Sequence, residues 1–424
     1  MFTGLTSPLD IAADGIVTPG TDTVYAKTSY TYDGLGRLTS VKDPDNHTTS
    51  YNYSNDNATH INPADDNKVT ITDRNGNVTT VTYDLMDRVV GKSVGSVSYG
   101  YTYNAEGFMT GSSGGDAPTA TIVPDSLGRV ASELQTDIDG NTVKKIYGYN
   151  NEGDRVSLIV EVKKHTESSP TTKISTTYEY DALGRLYKVF EGGALTATYQ
   201  YDENGNRKSL LLANGVKTDY VYNDANLLTS LTNRKSGANI SQYIYTYYLD
   251  GNQKSKQVNG TDTTTYTYDY MGRLLTVAEP GMDTSFAYDD YGNRLTMTVN
   301  GVLTKYIYNS TGTRLNDEKD VNNVVKVHYN YDLNGNQLSK NNGVPYNYEY
   351  NGFNQLTSFK IGTTPTASYS YGADGLRTKK TVGSTVTNYV WDGDQLVLEL
   401  DASYNGKRQI LPTFQNPPVH EIIV

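Results

Sequence analysis

Apolar and polar positions alternate with period two in short runs along almost the whole chain, and each run stops at a cluster of Asp, Asn and Gly. Tyr178-Glu179-Tyr180-Asp181 and Tyr199-Gln200-Tyr201-Asp202 are clear instances, as are Tyr30 to Asp33, Tyr266 to Asp269 and Tyr329 to Asp332. Period two is strand spacing and puts both rings on one face. Counting looser copies such as Phe286 to Asp289 and Tyr389 to Asp392, the phrase returns seventeen times, mostly 19 to 21 residues apart. Self-similarity at a fixed period marks an array whose units cannot bury their apolar face alone.

The segment Tyr178 to Gly193 serves as the type unit. Its Tyr-x-Tyr strand runs into Asp181, whose carboxylate can accept backbone N–H bonds from the following turn, and into Gly184, which takes positive φ at little cost. Arg185 and Leu186 open the return strand, where the pattern predicts Leu186 and Lys188 on one face and Tyr187 and Val189 on the other. A second turn at Gly192-Gly193 leads into the next unit. Asn-Gly or Asp-Gly pairs at Asn75-Gly76, Asp139-Gly140, Asn214-Gly215, Asn259-Gly260 and Asn300-Gly301 read as that second turn in other units, since they are strong hairpin signals. Two strands and two turns fill each unit and leave no room for a helix. The expected fold class is all-β, with some 34 strands in one long antiparallel sheet.

Composition adds to this picture in three ways. Tyr supplies 38 residues against seven Phe and one Trp, which favours half-buried surfaces where the ring packs and the hydroxyl reaches water or a polar partner. Cys is absent, so there is no disulfide framework and no thiolate metal site. The net charge of −11 is spread along the chain, with Asp at turns and Lys or Arg just after, which argues against a nucleic-acid groove. Residues 1–10 lack the pattern of a signal peptide, and no 18-residue apolar run suggests a membrane span.

Candidate chemistry is sparse. His47, His60, His165, His328 and His420 have no zinc-ligand spacing, and neither a phosphate loop nor a Gly-x-Ser-x-Gly elbow occurs. Acidic clusters at Asp43 to Asp45, Asp65-Asp66, Asp283 to Asp290 and Asp392 to Asp394 lack EF-hand spacing and read as turn chemistry. Arg follows the turn Gly within two residues at Arg37, Arg129, Arg155, Arg185, Arg207, Arg273, Arg294, Arg314 and Arg377; each is expected to pair with a turn Asp or to stack on a Tyr of the adjacent repeat. No catalytic, cofactor-binding or metal-binding residue is assigned, no cofactor is expected, and the chain reads as non-enzymatic. Tyr rows could hold sugars, although cross-strand ring ladders serve a sheet equally well. Insertions at Ser54 to Lys68, Gly111 to Gly115 and Glu161 to Lys173 read as longer loops.

The motif Tyr-x-Tyr-Asp-x-x-Gly-Arg-Leu, as in Tyr30-Thr31-Tyr32-Asp33-Gly34-Leu35-Gly36-Arg37-Leu38, resembles the YD repeats of bacterial Rhs proteins, of Tc toxin shells and of teneurins. The match runs from Tyr30 to about Asp401. It implies a sheet that spirals into a partial shell or cocoon, in which a C-terminal toxin is enclosed and later delivered. It divides the chain into a leading segment or partial first repeat 1–29, a repeat array 30–404 and a non-repeat tail 405–424. The tail carries no Asp-Pro-x-Gly-Leu junction, so the family's cleavage residues are not carried over, and the shell is expected to be C-terminally incomplete. Expected partners are a toxin cargo and flanking plug domains, with a cell-surface glycan as a further possibility; nucleic acid is not expected. The resemblance implies secretion or a bacterial cell-surface location. The rival reading is a surface adhesion or carbohydrate- and cell-wall-binding module.

Overall fold

The computed structural model describes residues 10–11, 17–18, 26–53, 68–115 and 117–409. Most of the leading segment, most of the Ser54 to Lys68 insertion, His60, Asp65-Asp66, His420 and residues 410–424 of the tail lie outside the described residues. Among the described residues there is no helix. The strands from Ser29–Tyr32 to Gly406–Gln409 belong to one antiparallel sheet of 35 strands, in agreement with the all-β hairpin array expected from the period.

The hairpins are built on one repeated loop. In the type unit the Asp181 amide donates to the Arg185 carbonyl at 2.8 Å and the Gly184 amide donates back to the Asp181 carbonyl at 3.0 Å, with Gly184 at φ +73°. Asp181 Oδ1 accepts the amides of Leu183 and Arg185 at 2.9 and 3.0 Å, so the side chain satisfies donors that the tight turn strands. The same two backbone bonds recur at Asp33, Asp84, Asp125, Asp202, Asp269, Asp289 and Asp332. Where Gly is missing from the fourth position, Asn46, Asn226, Asn323 and Asn354 take it at positive φ, as Asn tolerates left-handed backbone, and Asp87 and Tyr404 do so in the Asp84 and Asp401 loops.

Two expectations are corrected here. Asn75-Gly76 and Asp139-Gly140 are not second turns: they sit inside the same five-residue loop, opened by Asp73 and Asp137. Asn300-Gly301 does form a two-residue turn and Asn259-Gly260 opens a three-residue one, with Asn and Gly at positive φ in both, the twist that suits a hairpin. The return strand also departs from simple alternation. Tyr178 pairs with Val189 and Glu179 with Lys188, but Tyr180 pairs with Leu186, so the strand bulges at Tyr187. Leu186 and Val189 are therefore the buried pair, and Tyr187 is exposed. The equivalent register shift falls at Tyr32, Tyr83, Tyr149, Tyr201, Tyr268, Tyr288 and Tyr371.

The chain divides into two compact units. The unit of residues 99–245 and 367–424 holds a close-packed core. In the strand Arg155–Lys163, Leu158, Val160 and Val162 are buried at every second position, and they pack with Ile174, Tyr178, Leu186 and Val189. Val390, Val397, Leu398 and Leu400 join the same cluster from the hairpin of Thr385–Asp392 and Gln395–Leu400. Polar groups buried beside it are paired: Lys145 Nζ lies 2.8 Å from Glu133 and donates to the Trp391 carbonyl at 2.7 Å, and Arg155 meets Asp392 at 2.5 Å. Burial of such groups demands partners.

The unit of residues 1–98 and 246–366 has few fully buried side chains, Val81, Val94 and Tyr306 among them. Its distant segments meet turn to turn instead. Asp45 Oδ2 accepts the Thr313 hydroxyl at 2.8 Å, the 73–77 loop bonds to the 332–336 loop, and Val94 packs so closely on Gly352 that a Cβ there would meet Val94 Cγ2 at 2.5 Å.

Candidate functional site

The repeat gives the sheet two chemically distinct faces. One is made of rings and guanidinium groups. Arg185 Nε donates to Asp181 Oδ2 at 2.7 Å while its guanidinium lies over the Tyr201 ring at 4.6 Å, so one side chain ties its own loop to the next repeat. Arg37 over Tyr53, Arg129 over Tyr149 and Arg273 over Tyr288 repeat this, each bonded to the Asp four residues earlier. The guanidinium bond and the two turn amides hold Asp181 below the ordinary value of 3.8.

Tyr201 completes the link. Its hydroxyl donates to the Leu186 carbonyl at 2.8 Å, at the bulge of the preceding repeat. Tyr53 does the same to Leu38, Tyr180 to Arg155, Tyr268 to Gln253, Tyr288 to Leu274 and Tyr350 to Gln337, and Trp391 uses its indole N–H on Arg377. The excess of Tyr over Phe pointed to a hydroxyl partner, but the carbonyl it finds depends on the bulge, which alternation does not reveal.

Apart from Arg314, which donates to the Asp332 and Leu333 carbonyls at 2.7 and 2.8 Å, the Arg residues fall into two classes that the sequence pattern leaves merged. Those four residues after the loop Asp pair with it, as Arg185 does. Those five residues after the first residue of the loop lie over the first ring of a Tyr-x-Tyr or Tyr-x-Trp pair instead of the second: Arg207 lies over Tyr199 and Tyr220 at 5.1 and 6.0 Å, Arg377 over Tyr369 and Tyr389 at 5.6 and 4.8 Å, and Arg294 over Tyr306 at 4.1 Å. Arg155 belongs to this class and adds the ion pair with Asp392.

The other face carries small polar groups. Thr31 bonds Ser40 and Thr39 at 2.6 and 2.9 Å, Thr246 bonds Ser255 at 2.6 Å, Thr267 bonds Thr276 at 2.6 Å, and Asn330 bonds Ser339 at 3.0 Å. Ser209 and Gln200, Ser358 and Glu349, and Gly111 and Thr102 occupy the same paired positions. Between these hydroxyl pairs the face also carries ion pairs, Glu179 with Lys188 and Asp317 with His328, and single exposed apolar side chains such as Val221 and Ile307.

Asp43, Asp45 and His47 come close enough to offer three ligand atoms within 4.8 Å of one another. Their oxygens are nevertheless engaged: Asp43 accepts the His47 amide at 2.8 Å and pairs with Arg74 at 3.2 Å, and Asp45 accepts from Asn309, Thr311 and Thr313. Desolvation works against ionisation of Asp45, but the Thr311 and Thr313 hydroxyls and the Arg314 cation hold its pKa below the ordinary value. These groups join two loops. A cavity of about 230 Å³ in the 99–245 and 367–424 unit is lined by Asp137, Asn141, Asn388, Tyr389 and Tyr404, with the Tyr404 hydroxyl donating to Asp137 at 2.6 Å. No helix in the described residues is long and apolar enough to cross a membrane.

Comparison with known proteins finds repeat families. Residues 132–314 match the family described as Teneurin YD-shell, and residues 16–48 and 32–68 match the RHS Repeat. The chain is 27% identical over 259 residues to the tRNA nuclease WapA of Bacillus subtilis strain 168, and 32% identical over 238 residues to the tRNA(Glu)-specific nuclease WapA of Bacillus subtilis subsp. natto. Each alignment covers 55% of this chain and 10% of the relative, so the chain spans about a tenth of the length of these curated relatives. Among solved structures, the TcdB2-TccC3 crystal structure aligns over 90% of this chain and 27% of that one, at 12% identity and a TM-score of 0.47.

Proposed function

Because this chain is a protein of RHS and YD repeats, we propose that its array is the wall of a shell that encloses a toxin polypeptide and keeps it inactive until delivery. The observation that carries this reading is the division of labour between the two faces. Ring, guanidinium and hydroxyl bonds act within the wall, linking each repeat to the next, while the opposite face carries hydroxyl pairs, charges that are paired with one another, and apolar side chains that stand singly. An unfolded cargo is released most readily by a surface that lacks large apolar patches and strong charge.

The same reading accounts for the relatives. Proteins named as tRNA nucleases share about a tenth of their length with this chain, which fits a nuclease whose catalytic part lies outside the shared repeats. The array itself is then a non-catalytic component, and its cargo is a toxin domain rather than a free substrate. The shell reading places the work of the protein outside the producing cell.

Small-angle X-ray scattering with a mass determination tests the proposal. The expected outcome is a distance distribution depleted at short range relative to a solid particle of the measured mass. A solid globule would remove the shell and favour adhesion through exposed rings such as Tyr30, Tyr32 and Tyr270.

A further inference from the structure

Two loops in the 1–98 and 246–366 unit interlock through a reciprocal set of bonds. Asn75 Nδ2 donates to Asp332 Oδ2 at 2.9 Å and its Oδ1 accepts the Leu333 amide at 2.8 Å; Asn334 Nδ2 donates to Asp73 Oδ2 at 2.6 Å and its Oδ1 accepts the Arg74 amide at 3.1 Å. Both loops read Asp-x-Asn-Gly-Asn, Asp73 to Asn77 and Asp332 to Asn336. Each third-position Asn fills the two free positions of the other loop, so the contact is specified by the motif. The 332–336 side is steadied by a neighbour: Asn334 and Asn336 both donate to Asn354 Oδ1, at 2.9 and 2.7 Å.

The same motif occurs once more in the described residues, at Asp202-Glu203-Asn204-Gly205-Asn206. Its supports are in place. Asn204 and Asn206 both donate to Asn226 Oδ1, at 3.1 and 2.8 Å, which reproduces the Asn354 arrangement, and Asn206 closes onto Asp202 as Asn336 closes onto Asp332. Yet among the described residues no second Asp-x-Asn-Gly-Asn loop bonds to Glu203, Asn204 or Gly205, and all three are exposed. The other two copies of the motif in the sequence are engaged with each other.

We propose that the 202–206 loop is a docking site for another repeat hairpin, supplied from outside these 424 residues, whose loop reads Asp-x-Asn-Gly-Asn. The arrangement would let an array of these repeats be extended by a further array, with the Asn pair setting which loops meet. It does not depend on what the wall encloses.

A backbone-cyclised peptide with the sequence of residues 68–83, spin-labelled through Thr80→Cys, is added at millimolar concentration to the deuterated protein, and amide broadening is mapped by NMR. Broadening centred on residues 203–206 and 226 is expected, lost when the peptide carries Asn75→Ala and, independently, when the protein carries Asn204→Ala. Uniform broadening over all loops, or none, overturns the proposal. Sedimentation of the protein alone supplies a further arm: a dimer that Asn204→Ala dissociates would show that a second copy occupies the loop and would equally overturn it.

Discussion

Gly184 and Tyr201 show how much a single residue carries in a repeat of this size. Gly184 sits at φ +73° with open space where a Cβ would stand, so Gly184→Ala costs only the left-handed backbone, about 1 kcal/mol. Chemical denaturation should report that loss, whereas Gly128→Ala should lose more, because a Cβ there would fall 2.0 Å from the Phe108 ring. Tyr201→Phe keeps the ring under Arg185 and removes only the bond to the Leu186 carbonyl; about 1 kcal/mol is expected, with the stacking unchanged. An unaltered midpoint for Tyr201→Phe would mean that the carbonyl at the bulge finds water equally well. The loop Asp and Gly were legible in the sequence because turn chemistry is local. The hydroxyl bond was not, since its acceptor lies in the previous repeat and is exposed by a bulge. Nor were the two Arg classes separable without knowing on which side of that bulge each falls.

At the scale of strands, the period gave hairpin after hairpin, and alternation gave the ring face. It misplaced Val189 and Tyr187, because one extra residue after Leu186 reverses the facing of the rest of the strand. The burial of the Thr385–Leu400 hairpin was hidden for another reason: its partners, Leu158 and Lys145, lie more than 200 residues earlier, beyond the reach of any local pattern. Asp392→Asn in this hairpin leaves the half-buried Arg155 guanidinium without its counter-charge, and a loss of about 3 kcal/mol is expected in the unit that contains it. Leu158→Ala, at a site with no exposure, should cost about 2 to 5 kcal/mol through the cavity it opens. Burial also pushes the Tyr178 hydroxyl up to about 12 from its ordinary 10.0. The folded strand thus holds its proton more tightly than the unfolded chain, and the associated stability is present below pH 10 and drains away as pH rises toward 12. Thermal melts from pH 8 to 11.5, read beside tyrosinate absorbance, should show the midpoint falling only above pH 10; a midpoint flat through pH 11.5 would remove buried Tyr as a determinant.

For the molecule as a whole, the array is defined by what it lacks as much as by its repeats: 38 Tyr and no Cys. An absent thiol makes enclosure measurable, because any cysteine placed on a cargo is the only one in the sample. A disordered reporter segment with one Cys, joined after Val424, should react with a bulky maleimide more slowly than the same segment free in solution if the repeats shelter it. The physical expectation is set by access: a wall whose strands are paired to their neighbours has no gaps through which a large reagent passes, and exchange then depends on the openings at the ends of the array. A small maleimide should therefore be slowed less than a large one, and a size-independent rate would count against enclosure. Opening the wall supplies the internal control. Asp392→Asn loosens one hairpin from its neighbours, so if the sheltering is due to folded repeats, the slow reaction of the bulky reagent should speed up in that variant while the free segment is unaffected.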